Sequence, residues 1–508
     1  MRPKIKDVDF TVDEHIWGHR LYDEQLPHLT VLEFLTVLGS NTMSPLCIER
    51  DAPPRYQPQR QIRLRALLFN NPFVESIRER EIADAEKWVL WSERFAKDAE
   101  GLGGFDLGYL RQSFGEFEHF ARAIELLRSS SFEARSNKRW SSKFVFPFGP
   151  DALYEDLRID AKGAASNDRR FFARTGEILY LMLSRSKRGP ELGKKLVERL
   201  FDASLPMNKL VRALQGAPER ANEPRPVGYL PHASLERFDR LCDDWLAILA
   251  RDMPVYDALE HLIAITGLNL LLYFLERGKA ASGDAQPVEI VCEIVSRERT
   301  KVRALSAESY VANQGYSPAA VRVAVESARL APEWAAALAS SDPKGECAAV
   351  LRSLFQWPPE DGGDDPDALN KDGDQLLAQL VEKALSRHEQ HFEKIHAAWS
   401  RAIGLSSRRL SRRTRYAPND RLLKSIVLAI VEDRMQFDEF LAEAKVRYGL
   451  VIGDVEGARL VSEKLVDQEA LSDNRANLEA RLAGLGLVRR LSDSCSFVEN
   501  PFATGGEH

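Results

Sequence analysis

The stretch RLAGLGLVRRLSDSCSFVENPF, residues 481–502, predicts a helix followed by a β-hairpin. Its first part contains helix-forming residues and stops at glycine, which is typical of a helix end. A short apolar strand follows, the polar residues 492–494 favour a turn, and a second strand ends at Asn500 and Pro501. The fold to which this helix and hairpin belong depends on the elements that precede them.

The segments before the hairpin predict a helix, a short strand and two further helices. Asn419 is suited to cap the helix DRLLKSIVLAIV, and RMQ at 434–436 predicts a small strand. The run FDEFLAEAKVRYG is amphipathic and ends at Gly449. After an extra segment, Ser472 or Asp473 begins the helix NRANLEARLAGLG.

Residues 415–508, in the order helix, strand, helix, helix and hairpin, resemble the winged helix-turn-helix superfamily. The chain departs from a minimal member in the extra segment at 450–471. The resemblance implies that residues 473–484 form the recognition helix, whose outward face enters a major groove. It assigns base contacts to Asn474, Arg475, Asn477 and Arg481, phosphate contacts to Arg489 and Arg490, and core positions to Leu478, Leu482, Leu485 and Leu487.

An arginine-rich stretch, SSRRLSRRTRYAPNDRLLK at 406–424, precedes this module and contains a single acidic residue, Asp420. Arginine binds phosphate without regard to base sequence, and such binding weakens as salt rises. We therefore expect phosphate contacts from five arginines of the stretch. They are Arg408, Arg409, Arg412, Arg413 and Arg415.

A protein-binding role for the same module stays open at this point. Between 473 and 502 four acidic residues balance the four arginines, so this part of the module is neutral. Winged helices also serve as docking domains, and an arginine run also suits a solvated face or an acidic protein partner. DNA is therefore one expected partner, and a protein or a second copy of the chain is the other.

Composition describes an ordinary folded chain with no overall attraction to polyanions. The 508 residues have a formal net charge of −6 and a pI near 6.0, so a nucleic-acid site has to be local. The five cysteines are far apart and lack Cys-x-x-Cys spacing, which predicts free thiols in a reducing, cytoplasmic setting. The apolar run at 261–278 is interrupted by Thr266, Gly267 and Asn269, and we expect a core helix there, with no membrane span.

The expected fold is mainly α and multi-domain, with few strands and a C-terminal winged helix. The acidic Pro/Gly-rich segment WPPEDGGDDPDALNKDGD marks a linker. The predicted segments are a helical domain at 1–135, a mainly helical domain at 136–356 with a strand near 287–295, the linker at 357–375, a helix and arginine-rich connector at 376–414, and the winged-helix-like domain at 415–508.

Patterns that carry chemistry elsewhere in the chain favour structural roles. The glycine-containing runs GPELGKKL and GLGGFDLG lack the spacing of nucleotide-binding loops. On the strand PVEIVCEIV, Glu289 and Glu293 are expected to face solvent about 13 Å apart, too far for a catalytic carboxylate pair.

The histidines of HEQHFEKIH, which are His388, His391 and His396, do not match H-E-x-x-H, and a hydrated helix face is preferred to a metal site. Two polar-aromatic clusters, EHIWGHRLYDEQ at 14–25 and SNDRRFFARTGE at 166–177, are expected to cap helices and pack against neighbouring elements. No metal and no small-molecule cofactor is expected.

These features together favour a non-enzymatic subunit that associates with nucleic acid or assembles a complex. A large helical body with a terminal winged module suits a bacterial DNA-processing or anti-phage defence system. Two other functions stay open. One is a metal-dependent nuclease or other hydrolase with its site in the first 350 residues, and the other is a protein-docking scaffold.

Overall fold

The computed structural model describes most of the chain. The described residues are 12–19, 21–40, 54–57, 67–68, 71–98, 107–129, 157–159, 165–167, 174–216, 223–296, 301–360, 370–409, 412–492 and 495–503. Helices dominate and strands are short, which confirms the expected mainly α fold.

The helices and strands have the following bounds. The helices are α1 (Val12–Trp17), α2 (Pro27–Gly39), α3 (Val74–Arg78), α4 (Asp84–Asp98), α5 (Gly108–Phe114), α6 (Phe117–Ser129), α7 (Thr175–Ser184), α8 (Gly189–Leu196), α9 (Pro206–Gln215), α10 (Glu236–Leu249), α11 (Val255–Ala281), α12 (Val302–Glu326), α13 (Pro332–Leu338), α14 (Pro343–Phe355), α15 (Gly373–Gln390), α16 (Phe392–Ala402), α17 (Asp420–Ile430), α18 (Phe437–Tyr448), α19 (Ala458–Ser462) and α20 (Gln468–Gly484). A π-helical turn, Val197–Phe201, continues α8, and a 3₁₀ turn, Ser327–Leu330, continues α12. The strands are β1 (Arg55–Tyr56), β2 (Leu157–Ile159), β3 (Ala165–Asn167), β4 (Arg225–Pro226), β5 (Ile290–Val291), β6 (Ser406–Ser407), β7 (Arg415–Tyr416), β8 (Arg434–Gln436), β9 (Leu450–Val451), β10 (Val488–Ser492) and β11 (Cys495–Glu499).

The chain folds into two compact units, residues 28–228 and residues 1–27 together with 229–508. In the larger unit the N-terminal segment therefore packs with the C-terminal half. The linker predicted at 357–375 does not separate these units, and its central part, 361–369, lies outside the described residues. Independent folding of the five predicted segments stays a prediction.

In the unit of residues 28–228, buried carboxylates hold the start of α7. Glu33 accepts hydrogen bonds from the backbone N–H groups of Arg174 at 3.0 Å and Gly176 at 2.6 Å. The buried Glu177 accepts from the Tyr56 hydroxyl at 2.7 Å and from Arg174 Nε at 2.8 Å. Residues 174–177 of the second polar-aromatic cluster thus cap and pack a helix, and residues 168–173 lie outside the described part of the chain.

The run GPELGKKL forms helix α8, so it has no phosphate-loop conformation. Residues 101–106 of GLGGFDLG lie beyond the described residues.

The larger unit is built around α11, which is apolar on nearly every side. By length and composition this helix meets the criteria for a membrane span, but 83% of its apolar window is buried inside the protein. Trp17 from α1 stacks on Phe274 and donates its indole N–H to the Phe274 carbonyl at 2.8 Å. Helices α10, α12 and α17 pack along its length. This burial agrees with the predicted core helix and anchors the first polar-aromatic cluster.

The three histidines of HEQHFEKIH are not a hydrated face, and that expectation is wrong. His388 and His396 are fully buried, and His391 lies at the junction of α15 and α16. The ring of His396 contacts the Tyr416 hydroxyl at 2.6 Å, and burial lowers its pKa to about 3. His388 and His396 occupy the interior because each ring has a polar partner from another element, whereas His391 is partly exposed and contacts Asp23 Oδ1 at 2.9 Å.

The strand predicted at 287–295 is regular only at Ile290–Val291, and its partner is the parallel strand β9. The Ile290 N–H donates to the Gly449 carbonyl at 2.8 Å, and the Cys292 N–H donates to the Val451 carbonyl at 3.0 Å. Glu293 is fully buried, so the expectation that it faces solvent is wrong. An alternating apolar and polar pattern predicts a strand with one side exposed to solvent, but in the structure both sides of residues 290–294 are buried.

The C-terminal elements follow in the order α17, β8, α18, α20 and the hairpin β10–β11, with β9 and α19 inserted between α18 and α20. The hairpin strands are antiparallel, and β8 pairs with the outer edge of β11 in a sheet ordered β10-β11-β8. The insertion at 450–471 therefore supplies a strand and a helix to the core. Helix α20 begins at Gln468, earlier than the predicted start at 472 or 473.

We predict that Gly449→Ala destabilises the protein more than Gly486→Ala. Both glycines have positive φ, 68° and 72°, so alanine strains the backbone by about 1 to 2 kcal/mol at either site. A β-carbon at 449 would also overlap the Val288 carbonyl oxygen, whereas no described atom lies within 4 Å of one at 486. The overlap adds about 1 to 3 kcal/mol. Urea unfolding of the two variants measures the difference, and equal losses would contradict the β5–β9 packing.

Candidate nucleic-acid interface

Four arginines protrude from a loop between the paired strands β6 and β7. Ser406 pairs with Tyr416 and Ser407 with Arg415, and the chain between them forms what we call the arginine loop, residues 408–414. The exposed side chains are those of Arg408, Arg409, Arg412 and Arg413, and residues 410 and 411 lie outside the described residues. Arg408 Nη2 donates to the Arg412 carbonyl at 3.3 Å across the loop. These four predicted phosphate-binding residues are therefore brought together on one exposed loop.

Arg415 differs from these four because its side chain is buried. Only 1% of that side chain is exposed, and its Nε donates to the carboxylate of Glu293, itself 0% exposed. Glu293 also accepts from Arg303 Nε at 2.8 Å, and Arg415 Nη1 donates to the Arg409 carbonyl at 3.1 Å. Arg415 is therefore excluded from the predicted interface, since its charge is already neutralised inside the protein.

The surface next to the arginine loop carries further positive charge. Arg401 at the end of α16 and Arg421 and Lys424 in the first turns of α17 are exposed. Arg421 Nη2 donates to the Ala402 carbonyl at 2.7 Å, which links the two helices. Burial, followed by the nearby charge of Lys424, lowers the pKa of His261 to about 4. We had not predicted Arg401, because a single arginine within a helical pattern gives no sequence signal of its own.

The predicted recognition helix, now α20, does not present Asn474 outward. This side chain is 0% exposed and makes three hydrogen bonds: its Nδ2 donates to the carbonyls of Cys292 and Ile452 at 2.9 Å each, and its Oδ1 accepts from the Ile294 N–H at 2.8 Å. It ties α20 to the chain segments that extend β5 and β9. The expected base contact from Asn474 is wrong because satisfying these buried backbone groups fixes it inside.

The arginines of α20 are held by carboxylates of neighbouring helices. Arg475 Nε donates to Asp438 Oδ1 at 3.0 Å, and its guanidinium lies 5.0 Å from the Phe437 ring centroid. Arg481 Nε donates to Asp420 Oδ1 at 2.6 Å. Asn477 is half-buried. Gln468, the exposed first residue of the helix, donates from Nε2 to Asp454 Oδ2 at 3.1 Å. The other exposed positions of the helix are acidic or small, and they are Glu469, Asp473, Ala476, Ala480, Ala483 and Gly484.

The two arginines predicted on the hairpin have different environments. Arg490 donates from Nε to Glu479 Oε1 at 3.1 Å. Arg489 is exposed and makes no ion pair with any residue that the structure describes. Leu491, near the end of the same strand, is 60% exposed. Of the two arginines, Arg489 is therefore the one whose charge is available to a ligand.

Another polar cluster has the connectivity of a hydrolase triad. His388 Nδ1 contacts Asp13 Oδ1 at 2.9 Å, and His388 Nε2 contacts Ser317 Oγ at 3.0 Å. All three side chains are buried, Ser317 lies inside helix α12, and Trp17 stacks on the His388 ring. A substrate has no access to this serine in the structure. The cluster therefore serves as a buried polar link between α1, α12 and α15.

No group of three or more His, Cys, Asp or Glu side chains suited to hold a metal ion occurs among the described residues.

Comparison with known proteins gives one match, which covers the C-terminal part of the chain. Residues 376–498 match the family model described as methylation-associated defense system protein MAD7. No curated protein and no solved structure matches the chain. The matched range includes the arginine loop and the elements from α15 to β11 except for their outermost residues. It supports a C-terminal domain that belongs to a defence-system protein.

We predict that Arg415→Met lowers the free energy of unfolding by about 3 to 5 kcal/mol, because Glu293 then keeps a buried charge with one of its two cationic partners removed. The matched control, Arg412→Met in the same arginine-rich stretch, changes it by less than about 0.5 kcal/mol, since that side chain is exposed. Chemical denaturation of both variants measures this. Equal effects would contradict the burial of Arg415.

A second matched pair lies on α20. Asn474→Ala should lower the free energy of unfolding by about 2 kcal/mol or more, because three buried backbone groups lose their partner. Asn477→Ala, one turn away and half-buried, should cost less than about 1 kcal/mol. Thermal unfolding monitored by circular dichroism compares them. If Asn474→Ala were no more destabilising than Asn477→Ala, the Asn474 side chain would not hold α20 to residues 292–294.

Proposed function

We propose that this protein is a non-enzymatic, DNA-associated subunit of a bacterial methylation-associated anti-phage defence system, and that it acts in the cytoplasm. The observation that carries the proposal is the arginine loop, which displays four exposed guanidinium groups on a base fixed by the buried Arg415–Glu293 pair. Guanidinium groups bind phosphate oxygens through paired hydrogen bonds and charge.

The family match supports the setting of this proposal. The matched model, residues 376–498, is that of a methylation-associated defense system protein and contains every arginine of the loop. It covers about a quarter of the chain, so the role of the remaining residues is part of the proposal. We propose DNA as the ligand because it is a common target of methylation and because its phosphates suit the exposed arginines of the loop.

We further propose that the C-terminal module is a winged helix. The order of its elements and its sheet, with β8 beside the hairpin strand β11, support this assignment. In this assignment α20 takes the recognition-helix position and β10–β11 forms the wing. The insertion with β9 and α19 joins the module to residues 290–294, so the module is part of the larger unit.

The electrostatics of the chain favours a local site for DNA. The net charge of −6 gives the whole molecule no attraction to a duplex, so binding requires a place where positive charge is concentrated. Arg401, Arg421 and Lys424 extend the positive surface of the loop along α16 and α17. Asp420, the single acid of the stretch 406–424, is paired with Arg481.

A protein-docking role is the second candidate, and the outward face of α20 favours it. This face begins with Glu469 and Asp473 and continues with alanines, which suits contact with a protein better than contact with phosphate. A second copy of the chain or another subunit is the proposed occupant. A partner that stays bound after nuclease treatment, and is lost on Ala480→Arg, would support this role.

The test of DNA association replaces the four loop arginines with glutamine in the full-length protein. We expect duplex affinity at moderate salt to fall about tenfold or more, and the slope of log affinity against log salt to shrink by about 3 to 4, near 0.9 for each lost phosphate contact. Fluorescence anisotropy with a labelled duplex measures both quantities.

The control for this test removes the same net charge elsewhere. Arg122, Arg188, Arg322 and Arg329 are exposed and far in sequence from the loop, and their replacement by glutamine should leave binding unchanged. Loss of affinity in this control equal to that of the loop variant would contradict a local site. Absence of duplex binding by the wild-type protein at low salt would overturn the proposed function.

A further inference from the structure

We infer that this protein holds double-stranded DNA by its phosphate backbone and reads neither base sequence nor base methylation. This inference rests on the proposed function and specifies its ligand. It departs from what a winged-helix assignment implies, in which the recognition helix reads bases in the major groove. The contacts of α20 and of the arginine loop carry it.

Three of the predicted base-contacting donors of α20 already have partners within the protein. Asn474 is buried and bonded to residues 292, 294 and 452. The guanidinium groups of Arg475 and Arg481 are paired with Asp438 and Asp420. Base readout needs side chains that extend toward base edges with their donors available. Freeing Asn474 would leave buried backbone groups without a partner, and Arg475 and Arg481 would first have to give up their ion pairs with the exposed carboxylates of Asp438 and Asp420.

The outward face of α20 is also of the wrong charge to enter a groove. Glu469 and Asp473 are exposed at the N-terminal end of the helix, the end that contacts bases in a helix-turn-helix protein. Two carboxylates there are repelled by the phosphates that line the groove. The alanines that follow offer no hydrogen-bond donors. We therefore assign α20 a structural role and place the contact with DNA at the arginine loop.

The arginine loop has the properties of a backbone-binding element. Its arginines are exposed, and the side chains of Arg409 and Arg412 make no hydrogen bond or ion pair with the described residues. Base recognition requires donors held in one geometry, whereas phosphate binding requires only positive charge that can adjust to the backbone. The rigid part of the loop is its base, where Arg415 is fixed by Glu293.

The surroundings of the loop favour a duplex over a single strand. Proteins that bind single strands combine positive charge with exposed aromatic rings on which bases stack. Next to the arginine loop the aromatic side chains of Trp399 and Tyr416 are fully buried, and Tyr310 is 5% exposed. The described residues next to the loop thus offer charge without a stacking platform. A duplex has the higher density of phosphate charge, so it is the better ligand for such a surface.

Methylation of bases should not change this contact. Methyl groups on adenine or cytosine project into the major groove, where a helix or a ribbon would meet them, and they leave the phosphates unchanged. In this account the chain supplies general affinity for DNA, and discrimination of methylated from unmethylated DNA belongs to another component of the system.

The experiment measures binding of the full-length protein to short DNAs of equal length by fluorescence anisotropy. The DNAs are two duplexes of unrelated sequence, each with and without base methylation, and the corresponding single strands. We expect the four duplexes to differ by less than about fivefold, the smallest effect of one wrong base pair on a sequence reader. We expect the single strands to bind at least about fivefold more weakly than the duplexes.

Two variants separate the roles of the loop and of α20. Asn477→Ala removes an amide from α20 and should leave duplex affinity unchanged, whereas glutamine at the four loop arginines should reduce it for every duplex alike. A preference above about tenfold for one sequence or one methylation state would overturn this inference while the proposed function stands. Equal binding of single strands would overturn the choice of a duplex. No binding to any DNA would overturn the proposed function itself.

Discussion

The buried ion pair between Glu293 and Arg415 joins the middle of the chain to the base of the arginine loop. Both side chains are almost completely removed from solvent, and Arg303 supplies a second positive charge to the same carboxylate. The Glu293 N–H also donates to the Tyr416 carbonyl at 2.9 Å, so backbone and side chain together hold β7 against the end of β5. Removal of Glu293 would leave the buried Arg415 without its carboxylate, and removal of Arg415 would leave the buried Glu293 with Arg303 alone, so loss of either partner is expected to destabilise the fold.

The segments that carry this ion pair also contact two other parts of the larger unit. Toward the C-terminus, residues 290–294 are bound by β9 and by Asn474, so the terminal helices and hairpin are joined to the middle of the chain. Toward the surface, β7 fixes the base of the arginine loop and leaves its four other arginines exposed. The Glu293 carboxylate therefore gives Arg415 a structural role, whereas Arg408, Arg409, Arg412 and Arg413 stay exposed on the loop.

The sequence predicted the local elements of this region well. The cap at Asn419, the helix end at Gly449, the strand at 434–436 and the hairpin are all present in the structure. Each of these features is encoded within a few residues. The mainly α fold and the core position of α11 were also predicted, because helical periodicity and apolar composition are properties of one segment.

The buried polar residues could not be predicted, because their partners are far away in sequence. Arg415 and Arg412 occupy similar local surroundings, and only contact with Glu293, 122 positions earlier, distinguishes them. Asn474 and Asn477 differ in the same way, since the partners of Asn474 include residues 292 and 294. His388 reaches Asp13, at the other end of the chain. Charge and polarity at these positions predict solvent exposure until the tertiary partner is known.

A double-mutant cycle on Glu293→Gln and Arg415→Met, with the free energy of unfolding measured for each variant, determines how strongly the two side chains interact. If the pair anchors the larger unit, the double variant should be destabilised by at least about 1 kcal/mol less than the sum of the two single variants, because the second substitution removes the charge that the first left unpaired. Additive effects, within about 0.5 kcal/mol, would show that the two residues do not interact and would contradict the account.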